Sequence, residues 1–315
     1  MSAPVVLIPE NPMPAGGAAR WSTTPDGARL RVFTWGEGRR GTVFLFNGRT
    51  EFVEKYFEVV GELRERGFSV VSLDWRGQGL SARMLPDRRK GHIDDFSTFD
   101  RDLAHVMADV ASGFPKPWYA LAHSMGGNIL LRATHDHPDW FSGVILSAPM
   151  LGLRFPGAAA ALAARALVSS LYRCGRGASY SPGGGPKAAD ETTFADNILT
   201  HDEKRYALLQ ALLRAEPELG LGSATVGWLH AAFRTIALTS ARSWLAEIRT
   251  PVLICEATED ALIDGASLHR AVVGMPAGEL AIMRGARHEI LIETDPVRAQ
   301  FWEVFDRFIG NLEKR

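Results

Sequence analysis

The chain is short of cysteine, of long apolar runs and of any excess of charge. Its 315 residues include 2 cysteines, 35 Lys and Arg, and 36 Asp and Glu, so the formal net charge is −1. Two cysteines cannot build a disulfide framework or a cysteine-ligated zinc cluster, and they suit a reducing compartment. The near-neutral balance argues against a nucleic acid as the main partner, because phosphate binding requires a basic excess.

Long hydrophobic segments are also missing. No stretch approaches the roughly 18–20 apolar residues of a membrane-spanning helix. The apolar run at the N-terminus is interrupted by Pro9 and Pro12, so it does not read as a signal peptide. We therefore expect a cytoplasmic protein that could still lie peripherally on the inner face of the membrane. With 46% hydrophobic and 23% charged residues, the composition is that of a globular chain.

The order of the apolar segments predicts an α/β fold. Short apolar runs alternate with longer helical patterns, which is typical of a mostly parallel sheet wrapped by helices. The predicted core strands are residues 42–46, 69–73, 118–122, 143–146, 252–255 and 280–283. No strand is evident in residues 150–246, which are too long for an ordinary connection and carry helical patterns. We predict a core made of residues 1–149 and 247–315, and a helical lid made of residues 150–246.

The sharpest local feature is a serine between a predicted strand and a predicted helix. Ser124 lies in the sequence Ala-His-Ser-Met-Gly-Gly at positions 122–127. A nucleophile held in such a tight turn needs small residues two positions before and two positions after it. Ala122 and Gly126 meet this requirement, and no other serine of the chain is flanked in this way. Ser124 is the candidate nucleophile, and we expect the neighbouring His123 to point away from the cleft.

A serine nucleophile needs a base and an acid that orients the base. On an α/β sheet of this kind they follow the serine along the chain in the order acid, then histidine. His288 follows the strand at 280–283, and Asp260 follows the strand at 252–255, so both should reach the carboxyl edge of the sheet. Asp264 remains the rival acid, and Glu259 is a weaker third.

The same chemistry requires backbone donors for the oxyanion of a tetrahedral intermediate. One should be the amide of Met125, directly after the nucleophile, and the other should come from the loop after the strand at 42–46. That loop reads Asn-Gly-Arg-Thr at positions 47–50, and we favour the amide of Arg49. Loss of one such donor typically costs about 100- to 1000-fold in rate. We predict no metal site and no cofactor site.

These segments together resemble the α/β-hydrolase family of bacterial lysophospholipases and monoacylglycerol lipases, and the bacterial lysophospholipase branch most closely. The resemblance covers nearly the whole chain and rests on residues 47–56, 74–81, 91–92, 122–127, 147–150 and 285–291, with an insertion pattern that runs from 199 to 228. It implies a serine carboxylic-ester hydrolase that frees a fatty acid from a single-chain lipid, most closely a lysophospholipid, through an acyl-enzyme on Ser124. Asp260 and His288 would complete the triad, and no cofactor is implied.

Other functions remain open on the same residues. A monoacylglycerol lipase or a general carboxylesterase would use the same serine and histidine, and so would a serine peptidase of this fold. A peptidase that reads a substrate amino group would need an acidic site, which the basic first half of the lid disfavours. A non-catalytic binding module would be expected to have lost a member of the triad.

The first half of the predicted lid is basic. Residues 149–189 contain five Lys and Arg and no Asp or Glu, and Arg154, Arg165 and Arg176 recur every eleven residues. An unbroken helix would align these three beside an apolar face, which suits docking on an anionic lipid surface. We favour the plainer interpretation of a helix packed on the core with solvated arginines, because alanine-rich faces bury little area and glycines at 157 and 175 flank the segment.

Overall fold

The structure is a computed structural model that describes residues 1–188 and 191–314. Within these residues, eight strands form one sheet in the order β1-β2-β4-β3-β5-β6-β7-β8. The strands are β1 (Gly17–Thr23), β2 (Arg29–Trp35), β3 (Thr42–Phe46), β4 (Ser69–Leu73), β5 (Trp118–His123), β6 (Gly143–Ser147), β7 (Val252–Ala257) and β8 (Gly278–Met283). The β1–β2 and β2–β4 pairs are antiparallel, and all the following pairs are parallel. The predicted mostly parallel sheet is confirmed.

Helices separate and follow the parallel strands. The α-helices of the described residues are α1 (Phe57–Glu65), α2 (Ser97–Val110), α3 (Ser124–Asp136), α4 (Ala158–Arg173), α5 (Glu203–Ala215), α6 (Val226–Thr239), α7 (Arg242–Leu245), α8 (Gly265–Gly274) and α9 (Asp295–Leu312). The first helical segment begins as a 3₁₀ turn, Val53–Tyr56, that leads into α1. None of the described helices combines the length and the hydropathy that a membrane crossing requires.

The parallel strands are fully buried because helices cover both faces of the sheet. Every residue of β3, β4 and β6 is buried, which explains why these strands read as largely apolar runs rather than as an alternation of apolar and charged residues. One face packs against side chains from α2, α3, α6 and α8, among them Leu103, Ile129 and Ile236. The other face packs against α1 and α9, where Phe301 and Phe305 are fully buried. The sheet therefore has no exposed face in its centre.

Parallel register brings four loops to the same edge of the sheet. Phe46 at the end of β3 pairs with Ala122 near the end of β5, and Ala257 of β7 pairs with Met283 of β8. The loops that leave β3, β5, β7 and β8 therefore start side by side, although they are far apart in sequence. Open α/β sheets place their functional sites at this carboxyl edge.

The segment between β6 and β7 holds α4, α5, α6 and α7, and the described residues 149–188 and 191–251 contain no strand. Its division from the core remains a prediction. The two glycines that flank the basic segment delimit its helix: α4 starts after Gly157 and ends before Gly175. Arg165 therefore lies on α4 while Arg154 and Arg176 lie outside, and the alignment that an unbroken helix would give does not form. Glycine lacks the helix propensity that would have continued α4 at either end, and Gly175 has a φ of 74°.

Candidate active site

Ser124 sits in a turn that only a few residue types could form. It is the first residue of α3, directly after β5, and its φ of 49° lies in the left-handed region that non-glycine residues rarely adopt. A Cβ at position 126 would collide with the carbonyl oxygen of Asn47, so glycine is required there. A Cβ at position 127 would come within 2.8 Å of Pro149 Cβ. The small residues of the motif thus let β3, β5 and α3 approach closely enough to hold the serine in this strained position.

Ser124, His288 and Asp260 form a continuous hydrogen-bonded chain. His288 Nε2 lies 2.9 Å from Ser124 Oγ, and His288 Nδ1 lies 2.7 Å from Asp260 Oδ2. A carboxylate only accepts hydrogen bonds, so Nδ1 must carry the proton, and the free Nε2 can accept from the serine hydroxyl. The imidazole is therefore held in the tautomer that a general base requires.

Asp260 is itself held in place and kept ionised. Its Oδ1 accepts from the backbone N–H groups of Leu262 at 2.7 Å and Ile263 at 3.0 Å. Burial raises the pKa of Asp260, but the hydrogen bond with His288 and these two amides outweigh burial, and the pKa lies below its usual value. A negative charge therefore stays beside His288 at neutral pH.

The two rival acids lie elsewhere. Asp264 accepts from the N–H of Ala266 at the start of α8 and pairs with Arg270 at 3.2 Å, which makes it a helix cap. Glu259 is exposed and lies 3.3 Å from His201. Neither contacts His288 in the described structure, so Asp260 is the aspartate that the fold brings to the histidine.

The two amides expected to bind an oxyanion belong to residues that line the same cavity as Ser124. Met125 is in the first turn of α3, and Arg49 is in the loop after β3. Hydrogen bonds within the protein hold that loop in place, and in one of them the N–H of Gly48 donates to the carboxylate of Glu51. Thr50 of the same loop has a φ of 65°. Gln78 Nε2 donates to the carbonyl of Gly48 at 2.6 Å. These contacts give the loop a definite conformation.

A buried ion cluster beneath this loop was not foreseen from the sequence. Lys55 Nζ lies 2.7 Å from Glu51 Oε1 and 2.6 Å from Glu289 Oε1, and Tyr56 donates to Glu51 Oε2 at 2.8 Å. Burial raises the pKa of Glu51, but Lys55 outweighs burial and lowers it to about 2. Burial keeps the pKa of Glu289 above its usual value. Lys55 therefore joins the loop after β3 to the residue that follows His288.

The expectation that His123 points away from the cleft was wrong. His123 is buried, lines the cavity, and its ring centroid lies 4.7 Å from that of His288. Its Nδ1 lies 3.2 Å from the carbonyl oxygen of Ser147, which makes Nδ1 the donor. Burial lowers the pKa of His123 to about 4, so the ring is neutral at pH 7. The last residue of β5 faces inward here because β6 supplies the carbonyl that its ring needs.

The cavity above Ser124 has a volume of about 370 Å³. Most of its wall is apolar; the apolar residues are Met125, Met150, Leu153, Phe155, Leu199, Trp228, Ala261, Leu262 and Ile263. Arg49 and Arg154 add two cationic side chains to the wall. A wider surface depression of about 900 Å³ beside α5 is lined by residues that do not include Ser124 or its partners. The chemistry and the apolar cavity therefore coincide at the carboxyl edge of the sheet.

Known proteins share this sequence pattern and this architecture. A family described as Serine aminopeptidase, S33 (Hydrolase_4) matches residues 37–295. Lysophospholipase L2 of Escherichia coli (strain K12) is 32% identical over 271 residues, which cover 82% of this chain and 76% of that protein. A probable lysophospholipase L2 of Haemophilus influenzae is 28% identical over 274 residues, which cover 86% of this chain and 84% of that protein.

The fold is also that of solved structures. A soluble variant of monoglyceride lipase from Saccharomyces cerevisiae, crystallised in complex with a substrate analog, superposes with a TM-score of 0.71. The alignment covers 95% of this chain and 96% of that chain at 24% identity. This likeness supports the arrangement of sheet and helices described above.

Proposed function

This chain belongs to the Hydrolase_4 family of α/β-hydrolases and is a hydrolase acting on carboxylic esters; within that class we propose that it releases the fatty acid of a single-chain lipid, most specifically a lysophospholipid. The observation that carries the catalytic part is the chain of hydrogen bonds from Ser124 through His288 to Asp260. The apolar cavity above the serine supports an acyl chain as the group that is bound. The names of the bacterial relatives support the lysophospholipid.

The proposed reaction follows from the geometry. Ser124 Oγ attacks the acyl carbonyl carbon while His288 Nε2 takes the hydroxyl proton, and the negative charge moves to the carbonyl oxygen. The amides of Arg49 and Met125 donate to that oxyanion. The C–O bond to the glycerol unit then breaks, and His288 returns its proton to the leaving oxygen. Water, activated by His288, hydrolyses the acyl-enzyme and restores the serine.

Asp260 has a separate task in this scheme. It accepts from Nδ1–H of His288 and stabilises the imidazolium that forms when Nε2 takes the proton. Its two backbone donors keep its Oδ2 aimed at the ring. The carboxylate therefore positions and stabilises the base, and it exchanges no proton itself.

Peptide hydrolysis is the second candidate, and one observation favours it besides the family's description. Glu289 lines the cavity, and its Oε2 is buried without a hydrogen-bond partner. A substrate ammonium could pair with that oxygen. The other oxygen of Glu289 is already engaged by Lys55 at 2.6 Å, and the cavity wall carries two arginines that would repel a cationic substrate. We therefore place ester hydrolysis first.

The experiment compares purified protein with Ser124→Ala on five substrates. These are lysophosphatidylcholine, lysophosphatidylethanolamine, a monoacylglycerol of the same chain length, a short p-nitrophenyl ester and an aminoacyl p-nitroanilide. Loss of the nucleophile in Ser124→Ala should lower the rate of hydrolysis by about 10⁴- to 10⁶-fold. Fastest cleavage of the lysophospholipids supports the proposal. Fastest cleavage of the monoacylglycerol or of the short ester points to the lipase or the carboxylesterase instead, and fastest cleavage of the anilide to a peptidase.

We further propose that residues 150–246 act as a lid and that α4 rests on the anionic inner face of the membrane. Of the residues of α4, only Val168 is buried, whereas Leu162 is 70% and Leu167 is 49% exposed. The helix packs against α6 and its arginines are exposed, as the plainer interpretation expected, but two of its leucines remain uncovered. Four exposed arginines accompany these leucines, Arg165 and Arg173 on the helix and Arg154 and Arg176 beyond its ends, and exposed apolar and basic side chains on one helix suit a lipid surface.

Vesicle binding tests the docking. Arg165→Glu plus Arg176→Glu should bind phosphatidylglycerol vesicles at least about tenfold more weakly than the unmodified protein, since each basic residue near such a surface contributes about 1 kcal/mol. Arg284→Glu plus Arg307→Glu makes the same change of charge at exposed positions outside α4 and serves as the matched control. Equal weakening in both variants would show a general charge effect and would exclude docking through α4.

A further inference from the structure

Arg49 is a cation without an anionic partner at the wall of the cavity. Its Nη2 donates to the carbonyl oxygen of Gly222 at 3.0 Å, and its guanidinium lies 5.1 Å from the ring centroid of Trp228. Its Nε is buried and has no hydrogen-bond partner, and Arg49 forms no ion pair with any described residue. Burial lowers the pKa of Arg49 to about 10, so the group is charged at neutral pH. Arg49 is half-buried, and a cation partly withdrawn from water with no counter-ion is costly, which suggests that an anion comes from outside the protein.

The carboxylates of the cavity cannot serve as that counter-ion. Glu51 and Glu289 share the ammonium group of Lys55, and Asp260 faces His288. Arg154 at the cavity wall is exposed and also forms no ion pair with a described residue. The positive charge of the cavity is therefore available to a ligand, whereas its negative charge is mostly engaged.

We propose that Arg49 binds the phosphate of a single-chain phospholipid head group and thereby selects lysophospholipids over neutral monoacylglycerols. This inference rests on the proposed function and names the residue that sets its substrate preference. In the proposed mechanism the backbone amide of Arg49 donates to the oxyanion, so the guanidinium of the same residue starts close to the ester that is cleaved. The ester and the phosphate of a lysophospholipid share one glycerol unit, so one residue can reach both. Planar guanidinium groups suit phosphate oxygens.

A kinetic comparison in neutral detergent micelles tests the assignment. The kcat/KM ratio for 1-oleoyl-lysophosphatidylcholine over 1-oleoylglycerol should fall about 10- to 100-fold in Arg49→Gln, because a charge-assisted hydrogen bond is lost for one substrate only. Arg49→Lys keeps the charge and should restore part of the ratio. Arg173→Gln, exposed on α4, controls for charge at the lipid surface. An unchanged ratio, or equal losses on both substrates, would overturn the proposal.

A binding measurement keeps the inference separate from the proposed function. Decylphosphocholine carries the phosphate and a single chain but no ester, so it can be titrated into the intact protein below its micelle-forming concentration. We expect Arg49→Gln to bind it at least about tenfold more weakly, and equal binding would overturn the proposal even if no lipid is hydrolysed. Displacement of decylphosphocholine by an equal concentration of inorganic phosphate would reveal a free-phosphate site and overturn the lipid assignment. If the unmodified protein hydrolyses no lipid but Arg49→Gln still binds decylphosphocholine more weakly, the proposed function is overturned and the anion site is kept.

Discussion

Two aspartates four positions apart have different hydrogen-bond partners because their local backbones differ. Asp260 lies in the turn after β7, where the N–H groups of residues 262 and 263 point at one oxygen and leave the other for His288. Asp264 precedes α8 and turns its carboxylate to the helix N-terminus. The sequence alone could not decide between them, since both follow the same strand and both are aspartates. The deciding feature is which backbone amides each carboxylate meets.

The first prediction separates these two residues. Asp260→Asn should lower kcat by about 10⁴-fold, because an amide in place of the carboxylate favours the wrong tautomer of His288. Asp264→Asn should keep near-normal kcat, since asparagine is itself a good N-cap. The measurement is ester hydrolysis by both variants, with circular dichroism to confirm that each is folded. A large loss of kcat in Asp264→Asn together with an active Asp260→Asn would reverse the assignment.

At the scale of elements, the sequence predicted the strands well and the long-range contacts poorly. The predicted bounds of β3 and β4 match the structure residue for residue, because a strand buried on both faces leaves an apolar run that turn residues delimit. The helix α4 lies between Gly157 and Gly175, so the three arginines that recur every eleven residues do not share one helix. The contact of Lys55 with Glu289 joins positions 234 residues apart, and no local pattern marks a lysine that will be buried. Such pairs become visible only when the sheet brings their loops together.

The second prediction concerns that contact between loops. Lys55→Met should destabilise the protein by about 3–5 kcal/mol, because two buried carboxylates lose their shared counter-ion. The pKa values of Glu51 and Glu289 should then both lie above those of the unfolded chain. The folded state would bind more protons than the unfolded state, so the variant should regain stability as the pH falls from 7 towards 5. Urea unfolding at several pH values measures this.

Two further variants control for the loss of a lysine as such. Lys204→Met changes an exposed lysine on α5 and should alter stability by less than about 0.5 kcal/mol. Lys55→Met combined with Glu289→Gln removes one of the two carboxylates and should recover part of the loss. If the double variant is no more stable than Lys55→Met, the repulsion between Glu51 and Glu289 is not what destabilises the single variant.

At the scale of the whole molecule, the candidate active site, the start of α4 and a cluster of buried titratable groups lie at the same edge of the sheet. The cavity wall includes Arg154 and Phe155, and the exposed helix α4 begins three residues later. A molecule that rests α4 on a membrane would therefore bring the cavity wall close to the lipid surface. The same edge holds buried titratable groups, so the pH dependence of folding should be set largely there.

The last prediction is the pH dependence of unfolding. The pKa of His123 is lowered to about 4 in the folded chain, whereas an unfolded histidine titrates near 6.5. Between these values the unfolded state binds more protons, so stability is complete above about pH 6.5 and is lost as the pH falls towards 4. The shifted pKa of His123 contributes at most about 3 kcal/mol to the free energy of unfolding.

His123→Asn isolates this contribution. Its amide can still donate to the carbonyl oxygen of Ser147, but it does not titrate, so the unfolding free energy should vary less between pH 7 and 4.5 than in the unmodified protein. Glu51, Lys55, Asp260 and His288 surround the ring and remain in both proteins, so their titration largely cancels in the comparison. His269→Gln changes an exposed histidine and should leave the pH dependence nearly unchanged. If the unfolding free energy of His123→Asn varies with pH as it does in the unmodified protein, protonation of His123 is not what destabilises the folded state at low pH.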